Sequence, residues 1–531
     1  MEEIESFPVR TTESEAAEYA EPFGVTQRQR LVGQVIRHYS GQVASTLSSI
    51  ILVPILLQRL GSEAYGFWLV ALSTPGFASG LDNAIYLSIT RETALFRSEG
   101  KVLDAATRTF LSACCGAYAA FGILCAFGIL IAGNLLARRL HLSSEILKSV
   151  PVVIGAVAIG FATSRIVVFA NAVLSGLQRF GTINAISAGT LIVRFAGFVA
   201  LSRSGSLYGI AVWYALTAMA ESIAALSLAA RFGAIRTGRA LLEWRRLGHV
   251  GSFGVTSFFT TALQNIFWFS PPALLGILTG QSSSAFLLYA GQRPCTIVSD
   301  LNWRGAEVLF SASAGAGADD RKAEDRELMV FGTTCILTVA FPLCVGLAML
   351  APALVSTWLR TPSEATVLVM RLTAAGVVAD ALWVGPLHIL WGKGLAQSVL
   401  WISSGLAAGA LLLNVLLIPH YGAVGAAITF AILSWIVAIV TLHLAARQFS
   451  ASWIQLLFRS VMPLGIPAIS LLAFLAVIST ALHAHPQILL FTAAAGGASL
   501  YFVLLWVQNR RPGNQFMRSP FQFEQLRKTD S

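Results

Sequence analysis

Apolar runs of about 20 residues recur along the whole chain, and they constrain its fold more than any other feature of the sequence. Such runs have the length needed to cross a bilayer, where backbone polar groups must be hydrogen-bonded within their own segment. The 531 residues are 56% hydrophobic and 12% charged, with a mean hydropathy of +0.71, whereas soluble domains carry about 25% charged residues. The sequence therefore predicts an all-α, polytopic membrane protein.

Fourteen segments qualify as membrane-spanning helices when the apolar runs are bounded at charged or Gly/Pro-rich turns. Thirteen are plainly apolar, but the eighth contains six polar or charged side chains: Gln292, Arg293, Asp300, Asn302, Arg304 and Glu307. The predicted spans are residues 38–58, 64–89, 109–134, 150–174, 183–201, 207–229, 250–276, 284–310, 328–350, 366–391, 397–418, 423–445, 461–482 and 486–507.

The distribution of Lys and Arg decides whether the polar eighth segment spans the membrane, because omitting one helix inverts every later loop. With fourteen spans and a cytoplasmic N-terminus, 25 of the 36 Lys and Arg residues lie inside, 6 lie outside and 5 lie within helices. If residues 281–327 formed an external loop, the count would be 15 inside, 18 outside and 3 within helices. Only the first arrangement is positive-inside, so we predict fourteen spans with both termini cytoplasmic.

The rest of the composition indicates no cofactor, metal or nucleic-acid partner. The net charge of +10 fits arginine-rich cytoplasmic loops. The six cysteines fall in predicted spans without metal-ligand spacing to histidine, which favours packing roles over disulfides or zinc ligation. The acidic segment 1–33 lacks a signal-peptide pattern and is expected to be a disordered cytoplasmic tail, and residues 509–531 are expected to form a second cytoplasmic tail.

The eighth span carries a charged stripe. At 100° per residue, Arg293, Asp300, Arg304 and Glu307 fall within about 60° of one another around the helix. Two interpretations are open, because their spacing allows an internal ladder of ion pairs and the stripe also fits a cationic, water-filled cavity. The cavity is favoured, since Arg293 lacks an adjacent acidic partner on its own helix and further arginines occur at membrane depth.

Two of those further arginines, Arg165 and Arg194, lie deep in the fourth and fifth spans. A charge there costs about 2.5–3.5 kcal/mol and must face protein, water or a ligand. Arg371 lies near the start of its span, where it can snorkel to headgroups. Because guanidinium groups bind phosphate through paired hydrogen bonds, Arg165, Arg194, Arg293 and Arg304 are candidate ligands for a phosphorylated or acidic cargo.

Intramembrane acids form the second group of candidate site residues. They can bind a coupling proton or sodium ion, and pairing with the arginines is an equally open interpretation. These acids are Asp300, Glu307, Asp82, Glu221 and Asp380.

Four stretches match, in order, the motifs of one transporter family. Residues 60–68 (LGSEAYGFW) resemble its LG-x-E-x-YG-x-W turn, and residues 81–92 (LDNA, then TRE) resemble its LD-x-G segment before a cytoplasmic arginine. Residues 176–180 (GLQRF) and 414–427 (NVLLIPHYGAVGAA) resemble the turns between helices four and five and before helix twelve. On these motifs the chain resembles the oligosaccharide-flippase branch of the MOP (multidrug/oligosaccharidyl-lipid/polysaccharide) superfamily.

The resemblance implies two six-helix lobes around a central cavity, formed by residues 34–247 and 248–450, with two appended helices in residues 451–508. It implies a bacterial inner-membrane transporter, not an enzyme, that works by alternating access. The expected activity is translocation of an undecaprenyl-pyrophosphate-linked oligosaccharide repeat unit for O-antigen, capsule or exopolysaccharide synthesis. Candidate partners are that substrate, membrane lipids, a coupling proton or sodium ion, and polysaccharide polymerase and export machinery.

Two other functions are weighed against the flippase. A MATE-like, ion-coupled drug antiporter of the same superfamily would be expected to have acids dominating an otherwise apolar cavity, whereas the stripe here contains arginines. A membrane-embedded polysaccharide polymerase or ligase would need a substantial external loop with catalytic residues. The longest predicted external connection, about residues 135–149, is too short for that role.

Overall fold

The computed structural model describes residues 25–76, 86, 89, 90, 93, 105–177, 179–231, 252–314, 322–360, 363–449, 451–482 and 485–509. Within these residues the chain is helical apart from short turns and contains no β-strand. The helices are α1 (Val25–Ser73), α2 (Ala105–Ala137), α3 (Ser144–Gly176), α4 (Phe180–Leu201), α5 (Leu207–Arg231), α6 (Ser252–Thr279), α7 (Ser282–Ala314), α8 (Lys322–Met349), α9 (Ala351–Leu359), α10 (Glu364–Gly392), α11 (Ala396–Tyr421), α12 (Ala423–Gln448), α13 (Trp453–Val461), α14 (Gly465–Ala481) and α15 (Pro486–Asn509).

Each of the fourteen predicted spans overlaps a helix of the structure. The first two lie in α1, which is interrupted at Gly61, and residues 77–85 of the second span lie outside the described residues. In the part of the chain that is described, ten helical stretches are long and apolar enough to cross a membrane by composition alone. The protein is an all-α, multi-pass membrane protein, as the sequence predicts.

The polar eighth span is α7, a continuous helix of 33 residues. At 1.5 Å per residue it is about 50 Å long, and so exceeds the hydrocarbon core of about 30 Å. Its charged residues keep it out of the ten apolar stretches, yet it packs against α1, α8 and α10. Neither its length nor its packing fits an external loop over residues 281–327.

Three segments differ from the prediction. Helix α1 begins at Val25, so residues 25–33 are helical where the sequence predicts a disordered tail. The polar composition of this region hid apolar residues that recur at helical spacing, such as Val32 and Ile36. The short helices α9 and α13 are also unpredicted, because nine residues are too few to be found among runs of about 20.

Most helix contacts fall within two groups. In the N-terminal group, α3 packs against α2 and α5, and α4 packs against α5. In the C-terminal group, α10 packs against α7, α8 and α12, while α6 packs against α11. Helix α1 touches both groups through α4 and α7, and α14 and α15 pack on each other and on α8. The predicted boundary at residue 247 lies outside the described residues and stays a prediction.

Candidate transport cavity

The motif at residues 60–68 connects several turns on the predicted outer side. Gly61 has φ +79°, a conformation that L side chains rarely adopt, and it divides α1 into its two spans. The Glu63 carboxylate accepts a hydrogen bond from the backbone N–H of Ser143 at 2.7 Å. The Glu63 carbonyl accepts another from the Ser282 hydroxyl at 2.9 Å. One residue therefore joins the turn in α1 to the start of α3 and to the start of α7.

The two groups of helices approach each other closely at these turns. A Cβ atom at Gly66 would collide with the backbone carbonyl of Ser282, so glycine is required for α1 and α7 to pack this tightly. The backbone N–H of His141 also donates a hydrogen bond to the Gly280 carbonyl at 2.9 Å. We call the contacts among residues 61–66, 141–143 and 280–282 the outer seam.

One face of α7 continues this contact toward the membrane centre. Phe286 and Tyr289 lie against the Tyr65 ring, with centroid distances of 5.7 and 6.4 Å. Arg293 donates hydrogen bonds of 2.8 and 3.1 Å to the Ser49 hydroxyl. Arg293 lies about 16 Å inward from the start of α7 at 1.5 Å per residue. Because these partners are all in α1, this face of α7 is turned toward the N-terminal group.

The same face is uncovered further inward. Asp300 and Glu307 are exposed and Arg304 is partly exposed, and they lie about 27–38 Å from the outer end of α7. By helical angle they are within about 40° of Arg293, so they project from the same face of α7 as Arg293, which contacts α1. The groups are in contact at the outer seam, and the charged side chains on the inner half of α7 remain exposed or partly exposed. The cationic cavity predicted from the sequence would lie along this inner half, on the predicted cytoplasmic side of the seam.

Opposite charges are close to each other on this cavity face. Asp300 lies within electrostatic range of both Arg293 and Arg304. The two interpretations of the stripe are therefore compatible, because charges that stabilise one another also line an open space. The mixed charge gives the cavity both guanidinium donors and carboxylate acceptors.

In the N-terminal group, Arg194 is bound to its neighbours on α5. Its Nε donates to Thr217 Oγ1 at 3.0 Å, and its Nη2 forms an ion pair with Glu221 at 3.3 Å. The guanidinium also lies 5.3 Å from the centroid of the Tyr214 ring. This geometry favours pairing as the role of Glu221 over ion coupling, and it means that Arg194 must exchange partners to bind a ligand.

Arg165 is the most deeply buried of the four candidate arginines, with 7% of its surface exposed. Its Nε and Nη2 lie 3.3 and 3.1 Å from the Ser164 hydroxyl, and its guanidinium lies 4.2 Å from the centroid of Phe161. Both Arg165 and Arg194 are within electrostatic range of Tyr214. The two arginines thus belong to one polar region of the N-terminal group, separate from the α7 stripe.

Asp380 forms a buried polar cluster between α10 and α7. The residue is only 1% exposed, and its carboxylate accepts hydrogen bonds from Ser299 Oγ at 2.8 Å and from Asn302 Nδ2 at 3.2 Å. The buried indole N–H of Trp303 lies near this carboxylate without a hydrogen bond to it. Asp300 on the cavity face is close enough to act on Asp380 electrostatically. A buried acid with neutral donors beside a cavity is suited to hold a proton or a monovalent cation.

The remaining candidates are less informative. Asp82 lies outside the described residues. Arg371 donates to the Ala348 carbonyl at 3.2 Å from an exposed position, in line with the expected snorkelling. All six cysteines are free thiols, and the residues that are described bring no three His, Cys, Asp or Glu side chains together for a metal ion.

Sequence reasoning missed the hydroxyl residues that hold the charged groups in place. Ser49 accepts a hydrogen bond from Arg293, and Thr217 accepts one from Arg194. Ser299 donates a hydrogen bond to Asp380. Ser49 and Thr217 lie in apolar spans, where a single Ser or Thr is ordinary, and Ser299 lies among the more conspicuous charges of α7; each has its partner on another helix. No pattern in the sequence identifies such residues.

An apolar crevice of about 460 Å³ lies among α8, α9, α14 and α15. Its lining is almost entirely aliphatic or aromatic, so it fits an acyl or prenyl chain better than a polar solute. The lining residues include Val339, Leu343, Leu354, Leu471, Ala494 and Phe502.

Comparison with solved structures gives the fold a wider context. No family model and no curated protein matches the sequence. A structure of the lipid II flippase MurJ in an inward closed conformation has a TM-score of 0.67 at 13% identity, covering 90% of this chain and 99% of that chain. The chain shares the fold of this structure. The fold expected from the four sequence motifs is thereby confirmed.

Two further structures agree with this assignment. An inward-facing multidrug resistance MATE family transporter of the MOP superfamily has a TM-score of 0.60 at 14% identity, covering 78% of this chain and 98% of that one. A MOP superfamily transporter from Pyrococcus furiosus, described as having a binding pocket of reverse polarity, has a TM-score of 0.51 at 14% identity. That match covers 78% of this chain and 93% of the other.

Proposed function

We propose that this protein is a flippase that translocates an undecaprenyl-pyrophosphate-linked oligosaccharide repeat unit across the bacterial inner membrane. The observation that carries the proposal is the inner half of the α7 stripe, where Asp300 and Glu307 are exposed and Arg304 is partly exposed. Charged groups at membrane depth are costly and mark substrate pathways. A cavity of this kind suits a cargo that is itself polar and charged.

Arginine is the residue that fits a pyrophosphate cargo. Its planar guanidinium donates paired hydrogen bonds to phosphate oxygens and stays charged at any physiological pH. In this proposal Arg293 and Arg304 bind the pyrophosphate from α7, and Arg165 and Arg194 are candidate ligands from the N-terminal group. The prenyl tail stays in the bilayer, and the apolar crevice beside α14 and α15 gives it a possible position against the protein.

The structure supports alternating access as the mechanism. The outer seam closes the predicted periplasmic side, while the charged face of α7 is open toward the predicted cytoplasmic side. A repeat unit assembled in the cytoplasm would enter this state. Separation of the outer seam and closure of the inner half would then release it on the other side. The similar MurJ structure is of a lipid II flippase in an inward closed conformation.

Asp380 is our candidate for the site that binds a coupling proton or sodium ion. It is buried, and its neutral donors Ser299 and Asn302 lie next to the exposed Asp300 in the sequence of α7. In this scheme the charge state of Asp380 biases the packing of α10 against α7. An Asp380→Asn variant keeps the shape and loses the charge, so it should bind cargo and lose ion-driven transport.

The competing functions predict different features. For a MATE-like drug antiporter, an otherwise apolar cavity dominated by acids is expected, and the arginines of the α7 stripe argue against it. A polymerase or ligase needs a large external loop, whereas the turn between α2 and α3 contains only residues 138–143. The proposal therefore keeps the flippase and treats drug export as an outcome of the test.

The orientation can be tested independently of the cargo. Both termini are proposed to be cytoplasmic, so reporter fusions after Ser283 and Asp319 should report the outside and the inside, respectively. Fusions that report the same side would remove α7 as a span and with it the cavity.

The cargo is tested in cells. Deletion of the gene in a strain without paralogues should leave lipid-linked repeat units on the cytoplasmic leaflet, and re-expression should restore their appearance on the outer leaflet. Normal appearance of repeat units in the deletion strain, with altered drug sensitivity, would replace the flippase by the antiporter.

A further inference from the structure

A chain of aromatic side chains runs along the contact between α7 and α10. The Trp303 ring meets His388 at 5.3 Å, and His388 meets Trp391 at 6.2 Å. Trp391 in turn meets Phe310 at 6.2 Å, and Trp383 supports Trp303 at 5.7 Å. These centroid distances place the rings in one continuous ridge on the inner half of the helix pair.

The ridge borders the charged stripe. By helical angle, Trp303 and Phe310 lie about 60° from Asp300 and Glu307, on the side of α7 that faces α10. Each aromatic is three residues after one of the acids, so the pattern repeats after two helical turns. The acids and the rings therefore form two parallel rows at the same depth of the cavity.

Burial divides the ridge into a base and an open surface. His388 and Trp383 are buried, with 5% and 2% exposure. Trp303, Phe310 and Trp391 remain partly exposed. Packing in the interior accounts for the first pair. Trp303 and Trp391 also pack against this core, yet part of each ring, as of Phe310, stays open near the charged residues in the inner half of the helix pair.

We propose that Trp303, Phe310 and Trp391 form a platform that binds the sugar rings of the cargo. This inference rests on the proposed function and adds to it a separate subsite for the oligosaccharide. Sugar rings have apolar C–H faces that stack on aromatic rings and hydroxyl groups that donate to carboxylates. The ridge supplies the first contact, and the adjacent Asp300 and Glu307 supply the second.

This division of the cavity also explains why acids stand among the arginines. Carboxylates would repel a pyrophosphate if they bound the same part of the cargo. With sugar hydroxyls as their partners they become useful acceptors. Arg293 and Arg304 remain the pyrophosphate ligands, and the sugars lie along the aromatic ridge with their hydroxyl groups toward Asp300 and Glu307.

The experiment compares two probes on the purified full-length protein in detergent, by native mass spectrometry. The first is undecaprenyl pyrophosphate without sugar, and the second is the lipid-linked repeat-unit pool extracted from the source cells. Trp303→Leu should weaken binding of the glycosylated lipid about threefold to tenfold and leave binding of the bare lipid unchanged. Trp303→Phe should recover most of the loss. Trp401→Leu is the matched control, because Trp401 lies on α11 and is 69% exposed.

The outcomes separate this inference from the function on which it rests. Equal binding of the glycosylated lipid by Trp303→Leu and wild type would overturn the platform while leaving the flippase in place. Failure of the wild type to bind either pyrophosphate lipid more tightly than phosphatidylglycerol would overturn the proposed function. Trp303→Leu could lower the melting temperature and abolish binding of both lipids, in which case Trp391→Leu and Phe310→Leu are the deciding variants. An unchanged preference of both variants for the glycosylated lipid over the bare lipid would overturn the platform.

Discussion

Replacing Gly66 with alanine is expected to shift the protein from its inward-open state toward an outward-open state. The added Cβ would collide with the Ser282 carbonyl in the outer seam, and a backbone atom cannot move aside as a flexible side chain can. The collision raises the free energy of the inward-open state alone, because opening the outer seam would separate residue 66 from Ser282. Overpacking of a tight site costs about 1–3 kcal/mol, which corresponds to a shift of about fivefold to 150-fold in the ratio of the two states.

The shift can be measured as a distance across the outer seam. Spin labels at Glu145→Cys and Gln281→Cys lie at exposed positions on the two helix groups, in a background without the six native cysteines. The wild type should give mainly the short distance, and Gly66→Ala should populate a longer one. Gly128→Ala is the matched control, because a Cβ at that helical position meets no atom within 4 Å. A distance distribution for Gly66→Ala that is identical to wild type would refute the role of the seam as the outer closure.

Three further variants test the charged groups. Lys393→Met should lower the melting temperature, because it leaves the Asp325 carboxylate buried without the ammonium group 2.8 Å away, at a cost of about 3–5 kcal/mol. Replacing both residues with apolar ones should largely restore the stability, and an unchanged melting temperature for Lys393→Met would contradict this reasoning. Arg304→Ala should insert normally yet transport poorly, with Arg304→Lys intermediate because lysine lacks the planar fork; normal transport by Arg304→Ala would remove this residue from the site. Arg194→Ala should destabilise the protein by about 1–3 kcal/mol, and Glu221→Gln by less, in thermal unfolding measured in detergent. If both variants are as stable as wild type, the ion pair has no structural role.

Helix content was predictable because the membrane imposes it. A spanning segment must hydrogen-bond its own backbone, so apolar length alone identifies most helices. The polar α7 was placed by the charges of the loops around it, which is why it was predicted despite its composition. The short helices α9 and α13 were not predictable in this way, because each has only nine residues and packs against α8.

The stripe on α7 was predictable because helical periodicity relates Arg293, Asp300 and Arg304 within one segment. Contacts between helices were not, since nothing in the sequence relates Ser49 to Arg293 or Asn302 to Asp380. The same limit applies to the candidate arginines. Their depth could be estimated from the chain, but only the structure places Arg194 beside Glu221 and Arg165 against Phe161.

The motif at residues 60–68 gained a physical explanation from the structure. Gly61 sets the turn, Glu63 binds two other turns, and Gly66 permits close approach to α7. From the sequence these residues indicated a family and nothing about their role. Their partners on α3 and α7 lie 80 and 219 residues away in the chain.

Reconstitution tests the central claim most directly. Purified protein in liposomes should move undecaprenyl-pyrophosphate-linked repeat units from one leaflet to the other, as measured by their access to a membrane-impermeant glycosidase or lectin. Bare undecaprenyl phosphate should move more slowly, and an Arg293→Ala, Arg304→Ala double variant should be inactive while folding normally. Equal rates in empty liposomes, in wild type and in the double variant would contradict the account, because the charged cavity would then have no part in moving this cargo.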